Sequence, residues 1–324
     1  MVMQPEYLEP ATIQEAVSLL AKYLGKAKIV AGGTDLLVQL RRKTIKPECV
    51  IDITGIPGLD SVNYDEKQGL KIGALTTIRA LETSTELHRK YPRISQAASQ
   101  VGSQAVRNIG TIGGNLCQDT RCSYYAVIHL RSQSPCYQGG GDTCYAVAGA
   151  KKCTTMAVVE TAPALMCLGA EVCISGPSSE RTTPLEDFFV SPGITALQED
   201  EILTAIKVPN LPPHTHGIYL KYSSRGTLDF AIAGVAVVLT VNDGVCKDAR
   251  IGLLGAAPIP IRAHQAEEII KGEKVDEVLI NRAAQAASDE SHPISDVSAS
   301  AEYRKEMVKV LTRRLIREAI AGLA

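Results

Sequence analysis

The sequence predicts an α+β (mixed α/β) protein in two parts, and three patterns predict it. Helix-type and strand-type segments alternate through the first half of the chain, two long apolar strands occupy 234–241 and 249–255, and three helical stretches follow them. Strands followed by helices give a sheet covered on one face. A first domain over 1–180, itself divided near residue 55, and a second over 181–324 accommodate these patterns. The 324 residues are enough for two or three domains, and a 45% hydrophobic content supports buried cores.

Thr12 and Glu15 stand at capping-box spacing ahead of the apolar series Ala16, Val17, Leu20, Ala21 and Leu24, which predicts the first helix. Residues 28–31 read as a strand, Gly32-Gly33-Thr34 as a turn, and 35–41 as a helix start carrying Asp35 in its first turn. Paired glycines in such a β-turn-α unit let backbone amides close on a pyrophosphate. The G-x-G-x-x-G of a dinucleotide turn is missing, however, and a plain connecting turn is the commoner use of so short a motif. Residues 50–53 and 70–73 are the next strands, with Gly55-Ile-Pro-Gly58 between them. The pattern over 76–99 is helical and breaks at Pro92. A second glycine pair then stands in Thr111-Ile-Gly-Gly-Asn115, flanked by a hydroxyl and an amide, as suits a turn that binds a polar or anionic ligand. Two such turns converging on one ligand make a stronger signal than either alone. Near the end, Asn242-Asp-Gly244 marks a hairpin, and helices are expected near 263–270, 275–287 and 301–321.

Composition narrows the function. A net charge of −1 without a basic run argues against a nucleic-acid partner, and aromatic residues at 4% with no tryptophan leave few stacking platforms. The first residues lack a charged segment leading into an apolar one, and no apolar stretch reaches bilayer length, so no membrane and a cytoplasmic location are expected. Nine cysteines, an odd number in a reducing compartment, argue against a disulfide framework and leave metal, redox or packing roles.

Cys122, Cys136, Cys144 and Cys153 share a polar, glycine-rich segment with too little apolar content to order itself around a core. Gaps of 13, 7 and 8 residues lack the C-x2-4-C pair of structural zinc sites, whereas a 4Fe-4S cluster takes four dispersed thiolates. Zinc, or a disordered or disulfide-linked loop, rank below it. Cys117 lies inside the second glycine turn and is expected to pack there without binding metal, and His129 is left out of the site. Cys49, Cys167, Cys173 and Cys246 sit in apolar runs, where cysteine behaves as a small buried hydrophobe. His214-Thr-His216 falls in a proline-rich loop, and no nucleophile motif or catalytic constellation appears.

Ala31-Gly-Gly-Thr-Asp35 followed by Thr111-Ile-Gly-Gly-Asn115 resembles the paired flavin loops of the FAD-binding subunits of molybdenum hydroxylases, the xanthine dehydrogenase family. The resemblance extends over nearly the whole chain. Residues 160–170 are similar to a family stretch that normally begins with Asp in place of Glu160, and 201–203, 221–225, Asp229 and Ala231 fit its C-terminal flavin signature. It implies bound FAD, with Ile29, Val30, Ala31, Gly32, Gly33, Thr34, Asp35 and Leu36 as the first loop. Thr111, Ile112, Gly113, Gly114 and Asn115 would form the second, with Val101, Glu160, Leu203 and Lys221 completing the site. Residues 119–158 would be an insertion of roughly forty residues relative to most of the family, long enough to need a functional reason. Its resemblance to a reductase of the family implies one 4Fe-4S cluster on the four cysteines. The same resemblance implies a separate molybdenum-cofactor subunit for the substrate chemistry, a 2Fe-2S subunit, a dimer of such heterotrimers, and reduced ferredoxin as donor. An oxidising flavin subunit, or a non-redox scaffold with structural zinc, remains open on the residues alone.

Overall fold

The computed structural model describes residues 5–126, 135–225 and 229–323. His129 lies outside the described residues. Strands β1 (Glu6–Leu8), β2 (Ala27–Val30) and β3 (Cys49–Asp52) form a parallel sheet in the order β1-β3-β2. The helix Ile13–Lys22 crosses over it and starts as its sequence dictates: the Glu15 N–H donates to Thr12 Oγ1 at 3.1 Å, and the Glu15 carboxylate accepts from the Ala11 N–H at 2.8 Å. Its buried Ala16, Val17 and Leu20 meet Cys49, Ile51 and Ile53 of the sheet. The second crossover, Leu36–Arg42, buries none of its residues, although it is rich in leucine.

The middle of the chain forms an antiparallel sheet, β4 (Val62–Asp65), β5 (Gly69–Gly73), β6 (Glu171–Ser175), β7 (Glu180–Pro184) and, after the small hairpin β8 (Phe189–Ser191) and β9 (Ile194–Thr195), β10 (Ile202–Val208). The order is β4-β5-β10-β6-β7, so the strand that arrives last takes the centre. The helical pattern over 76–99 resolves into Ile78–Thr83, Thr85–Lys90 and Pro92–Ser99. Ser84 ends the first and caps the second, accepting the Leu87 N–H at 3.3 Å, while Pro92 opens the third, where its missing N–H costs nothing.

The last region is an antiparallel sheet of β11 (Thr215–Tyr222), β12 (Ala233–Asn242), β13 (Val245–Leu254) and β14 (Ile261–Arg262), followed by helices His264–Ile270, Glu277–Glu290 and Ala301–Ala321. Asp243 and Gly244 both take positive φ, +54° and +75°, as a two-residue hairpin of the I′ type requires. The unbroken apolar run of β12 has a simple cause. Ala233, Val235, Val237 and Leu239 face the core shared with the three helices, whereas Ala236 and Val238 face the core of the middle region. His214 stays in the loop, but His216 belongs to β11, a departure from the expected loop position of both. Among the described residues, no helix is long and apolar enough to cross a membrane.

Arg304, on the last helix, is 2% exposed. It makes a bidentate pair with Asp296 at 2.8 and 2.9 Å and donates to the carbonyls of Ala231 and Ile232. Asp296→Ala strands that buried cation and should cost about 3 kcal/mol in urea unfolding. An unchanged midpoint would mean that the two carbonyls suffice.

Candidate functional site

The second glycine pair is held from both sides. The Ile112 N–H donates to Thr76 O at 2.9 Å, the Gly113 N–H to Ala74 O at 2.9 Å, and the Ala74 N–H to Thr204 O of β10 at 2.9 Å. Contrary to the expected turn, Ile112–Leu116 is a short helix: Thr111 is its N-cap and accepts the Gly114 N–H at 3.1 Å. A Cβ at Gly113 would lie 2.8 Å from Ala74 O, so this glycine is needed for packing. At Gly114 the nearest atom within 4 Å is Thr111 Oγ1 at 3.1 Å, and the residue is exposed.

The first loop lies directly against the second. A Cβ at Gly32 would come within 2.0 Å of Ile109 O, and Gly33 holds φ at +69°, where other residues are strained. Asp35 does not cap the helix it precedes. Its carboxylate crosses instead to the far side of the second loop, where it accepts the Asp119 N–H at 2.9 Å and pairs with Arg121 at 3.1 Å. Sequence reasoning missed Asp119 and Arg121, which have no motif of their own. The convergence of the two loops is thus a feature of the fold.

Exposed positions stand beside this junction, Gly114 and Cys117 among them. Cys117 is accessible, yet the protein around it is dense enough to push its thiol up to about 12. Asn115 Oδ1 accepts from the Thr161 hydroxyl at 2.6 Å. Next to Thr161, Glu160 pairs with Lys221 at 3.5 Å, each side chain 6% exposed. Lys221 also donates to Gln100 O and Asp229 O at 2.6 and 3.0 Å. Glu160 and Lys221, expected at one site from distant stretches, are therefore brought together. Two buried polar atoms nearby lack a partner among the described residues, the Tyr219 hydroxyl and Arg121 Nε. The Glu160 carboxylate bears electrostatically on both residues. Val101 and Leu203 are buried in the same core as Ile112, while Ile29, Ala31 and Leu36 are half-buried. Paired loops, an open face at Gly114 and unsatisfied polar atoms fit a ligand with the length and polarity of FAD.

Burial pushes the Glu160 carboxyl above the usual carboxylate range, and Lys221 opposes that. A carboxyl raised on folding stabilises the protein below its unfolded value of about 4.3, and the benefit is lost as pH rises through the folded value. Lys221→Met removes the opposing cation. Its stability relative to wild type should fall from about pH 4.3 towards neutrality, and adding Glu160→Gln should abolish that fall. Parallel pH curves would contradict the pairing.

Comparison with known proteins gives the family. A family model described as the FAD binding domain in molybdopterin dehydrogenase matches residues 2–211, and one described as the CO dehydrogenase flavoprotein C-terminal domain matches 218–319. The chain belongs to the FAD-binding subunits of the molybdenum hydroxylases. Carbon monoxide dehydrogenase medium chain from Afipia carboxidovorans is 32% identical, over 98% of this chain and 96% of that one. A xanthine dehydrogenase FAD-binding subunit from Escherichia coli is 27% identical over 98% and 96%. Carbon monoxide dehydrogenase of Hydrogenophaga pseudoflava shares the fold over 100% of both chains, with a TM-score of 0.84 and 28% identity.

The cysteine-bearing segment of this flavin subunit is fastened at its ends, where Gln118 Nε2 donates to Val158 O at 3.2 Å. None of the side chains described between 121 and 154 is buried, which accords with a segment lacking a core. Cys122, Cys136, Cys144 and Cys153 line one small cavity together with Tyr124, Tyr125, Tyr137 and Tyr145. Burial alone would raise the Cys144 thiol. The Thr154 hydroxyl, at 3.4 Å, and the N–H groups of Val147, Ala146 and Thr154 bring it below its ordinary value. Burial raises the Cys153 thiol, the Thr155 N–H opposes that, and Cys122, Cys144 and Cys136 push it further up. The four thiols are thus electrostatic neighbours. The expected metal centre is not preformed: among the described residues, no three His, Cys, Asp or Glu side chains stand close enough to hold a metal ion. The thiols ring a space without converging on its middle. Cys49, Cys167 and Cys246 are buried as expected, whereas Cys173 is only half-buried.

Proposed function

We propose that this chain is the electron-transfer flavin subunit of a molybdenum hydroxylase complex, working beside a molybdenum-cofactor subunit and a 2Fe-2S subunit. The observation that carries this reading is the meeting of the 31–35 loop with the segment that carries the 111–115 loop, with Gly114 exposed and the Glu160–Lys221 pair next to the Thr161–Asn115 contact. Bound there, FAD would supply interchange between two-electron and one-electron steps. The chain's part is to hold and shield it. Gly33 sets the turn of the first loop, Gly114 leaves space on the second, Thr111 and Asn115 offer polar atoms, and Lys221 places a fixed cation beside a buried carboxylate. The relatives named for carbon monoxide and xanthine dehydrogenases favour an oxidising complex, in which electrons leave the molybdenum site through this subunit.

A second reading is favoured by the cysteine cavity. Four thiols lining one cavity match the four ligands of a 4Fe-4S cluster, and their sequence lacks the close cysteine pair usual in structural zinc sites. In that reading the chain is the β subunit of a 4-hydroxybenzoyl-CoA reductase. Reduced ferredoxin would then supply electrons, and the phenolic hydroxyl would be removed on the molybdenum subunit. The two are separated by assaying the purified complex with aldehydes, xanthine and carbon monoxide plus an oxidising acceptor, against 4-hydroxybenzoyl-CoA plus reduced ferredoxin. Turnover only with the former assigns the oxidising role. Turnover only with the latter assigns the reductase.

A further inference from the structure

The cysteine cavity and the first glycine loop are joined by a short run of polar contacts. Tyr125, in the cavity wall, donates its hydroxyl to Asp119 Oδ2 at 3.2 Å. The Asp119 N–H donates to Asp35 Oδ2 at 2.9 Å, and Arg121 holds the other Asp35 oxygen at 3.1 Å. Thr120, between them, accepts the Cys122 N–H on its hydroxyl at 3.3 Å. From above, a Cβ at Gly193 would come within 2.6 Å of Asp119 Oδ1, so the 191–193 segment closes over the acid. That segment is itself tied to the cavity wall by Gln138 Nε2, which donates to Pro192 O at 2.5 Å. Asp119 is therefore touched by the cavity wall, the first glycine loop and the segment above.

We infer that Tyr125 and Asp119 are positioning residues that couple occupancy of the cysteine cavity to flavin affinity at the glycine loops. The inference rests on the reading of the cavity as a cluster site. The segment has no core, so its order depends on what the thiols hold. When they are ligated, Cys122 and Tyr125 fix Asp119, and Asp119 fixes the Asp35 carboxylate and with it the first loop. Without the metal, Tyr125 is released, and Asp35 loses a partner fixed from that side. Coupling of this kind is reciprocal, so bound flavin strengthens metal retention by the same factor.

A double-mutant cycle on the full chain in its native complex tests this, with flavin affinity read by fluorescence and iron measured on each sample. Cys144→Ser empties the cavity without touching clusters on other subunits and should weaken flavin binding roughly tenfold, the order of a typical coupling between two sites. In a Tyr125→Phe background the same change should shift affinity less than about twofold. Asp119→Ala repeats the cycle from the other side of the contact, in case the tyrosine variant fails to hold its metal. A merely structural role for Tyr125 would lower affinity equally with and without iron, leaving the tenfold ratio in place and overturning the inference. Iron lost from Cys144→Ser with unchanged flavin affinity would overturn the coupling alone. Wild-type protein with no iron on these cysteines would overturn the cluster reading, and the coupling with it.

Discussion

Gly114→Val should leave the chain folded and empty it of flavin. The site makes this a clean test, because among the described residues outside its own helix backbone a Cβ would approach only Thr111 Oγ1 within 4 Å. The residue has no positive φ to preserve, so the substitution meets no backbone strain of that kind and needs only a small shift of the Thr111 hydroxyl. What the valine fills is the open space at the exposed Gly114. Flavin content should fall at least tenfold, while the far-ultraviolet circular dichroism and the urea midpoint stay near wild type. Gly32→Val is the contrasting variant, since its Cβ would meet Ile109 O at 2.0 Å. It should lose flavin and stability together. Full flavin in Gly114→Val would move the cofactor away from the second loop.

The second large effect is expected at the cysteines. Replacing any one of Cys122, Cys136, Cys144 or Cys153 with serine should remove about four iron atoms per chain or leave a damaged cluster. It should also expose the 119–158 segment to protease, since metal supplies its folding energy. Flavin should remain largely bound at working concentrations despite the weaker affinity. Cys117→Ser should keep its iron, because Cys117 is the exposed C-cap of the 112–116 helix and is absent from the cavity lining. Iron lost from Cys117→Ser, with a native spectrum in one of the four, would reassign the ligands.

Local rules carried much of the fold. The Thr12 and Glu15 cap, the Asp243-Gly244 hairpin and the three C-terminal helices each rest on neighbours in sequence, so they were legible there. The long-range features were not. Nothing near residue 202 shows that β10 will be the central strand of a sheet begun at residue 62. Asp35 reads locally as an acid in the first turn of a helix, yet its partners are Asp119 and Arg121. Gly113 and Gly114 read as a turn, but Thr111 caps them as the first turn of a helix whose position is fixed by Ala74 and Thr76. At the candidate site, residue types were readable and the pairing was not: Glu160 and Lys221 were both singled out, but their ion pair emerges only when β11 packs beside residue 160.

The most direct measurement is the visible spectrum of the purified full chain, with flavin and metal quantified on the same sample. The account predicts a yellow protein that releases stoichiometric FAD on denaturation, and about four irons on this subunit would in addition favour the reductase reading. A colourless protein that contains zinc, with neither flavin nor iron, would contradict it.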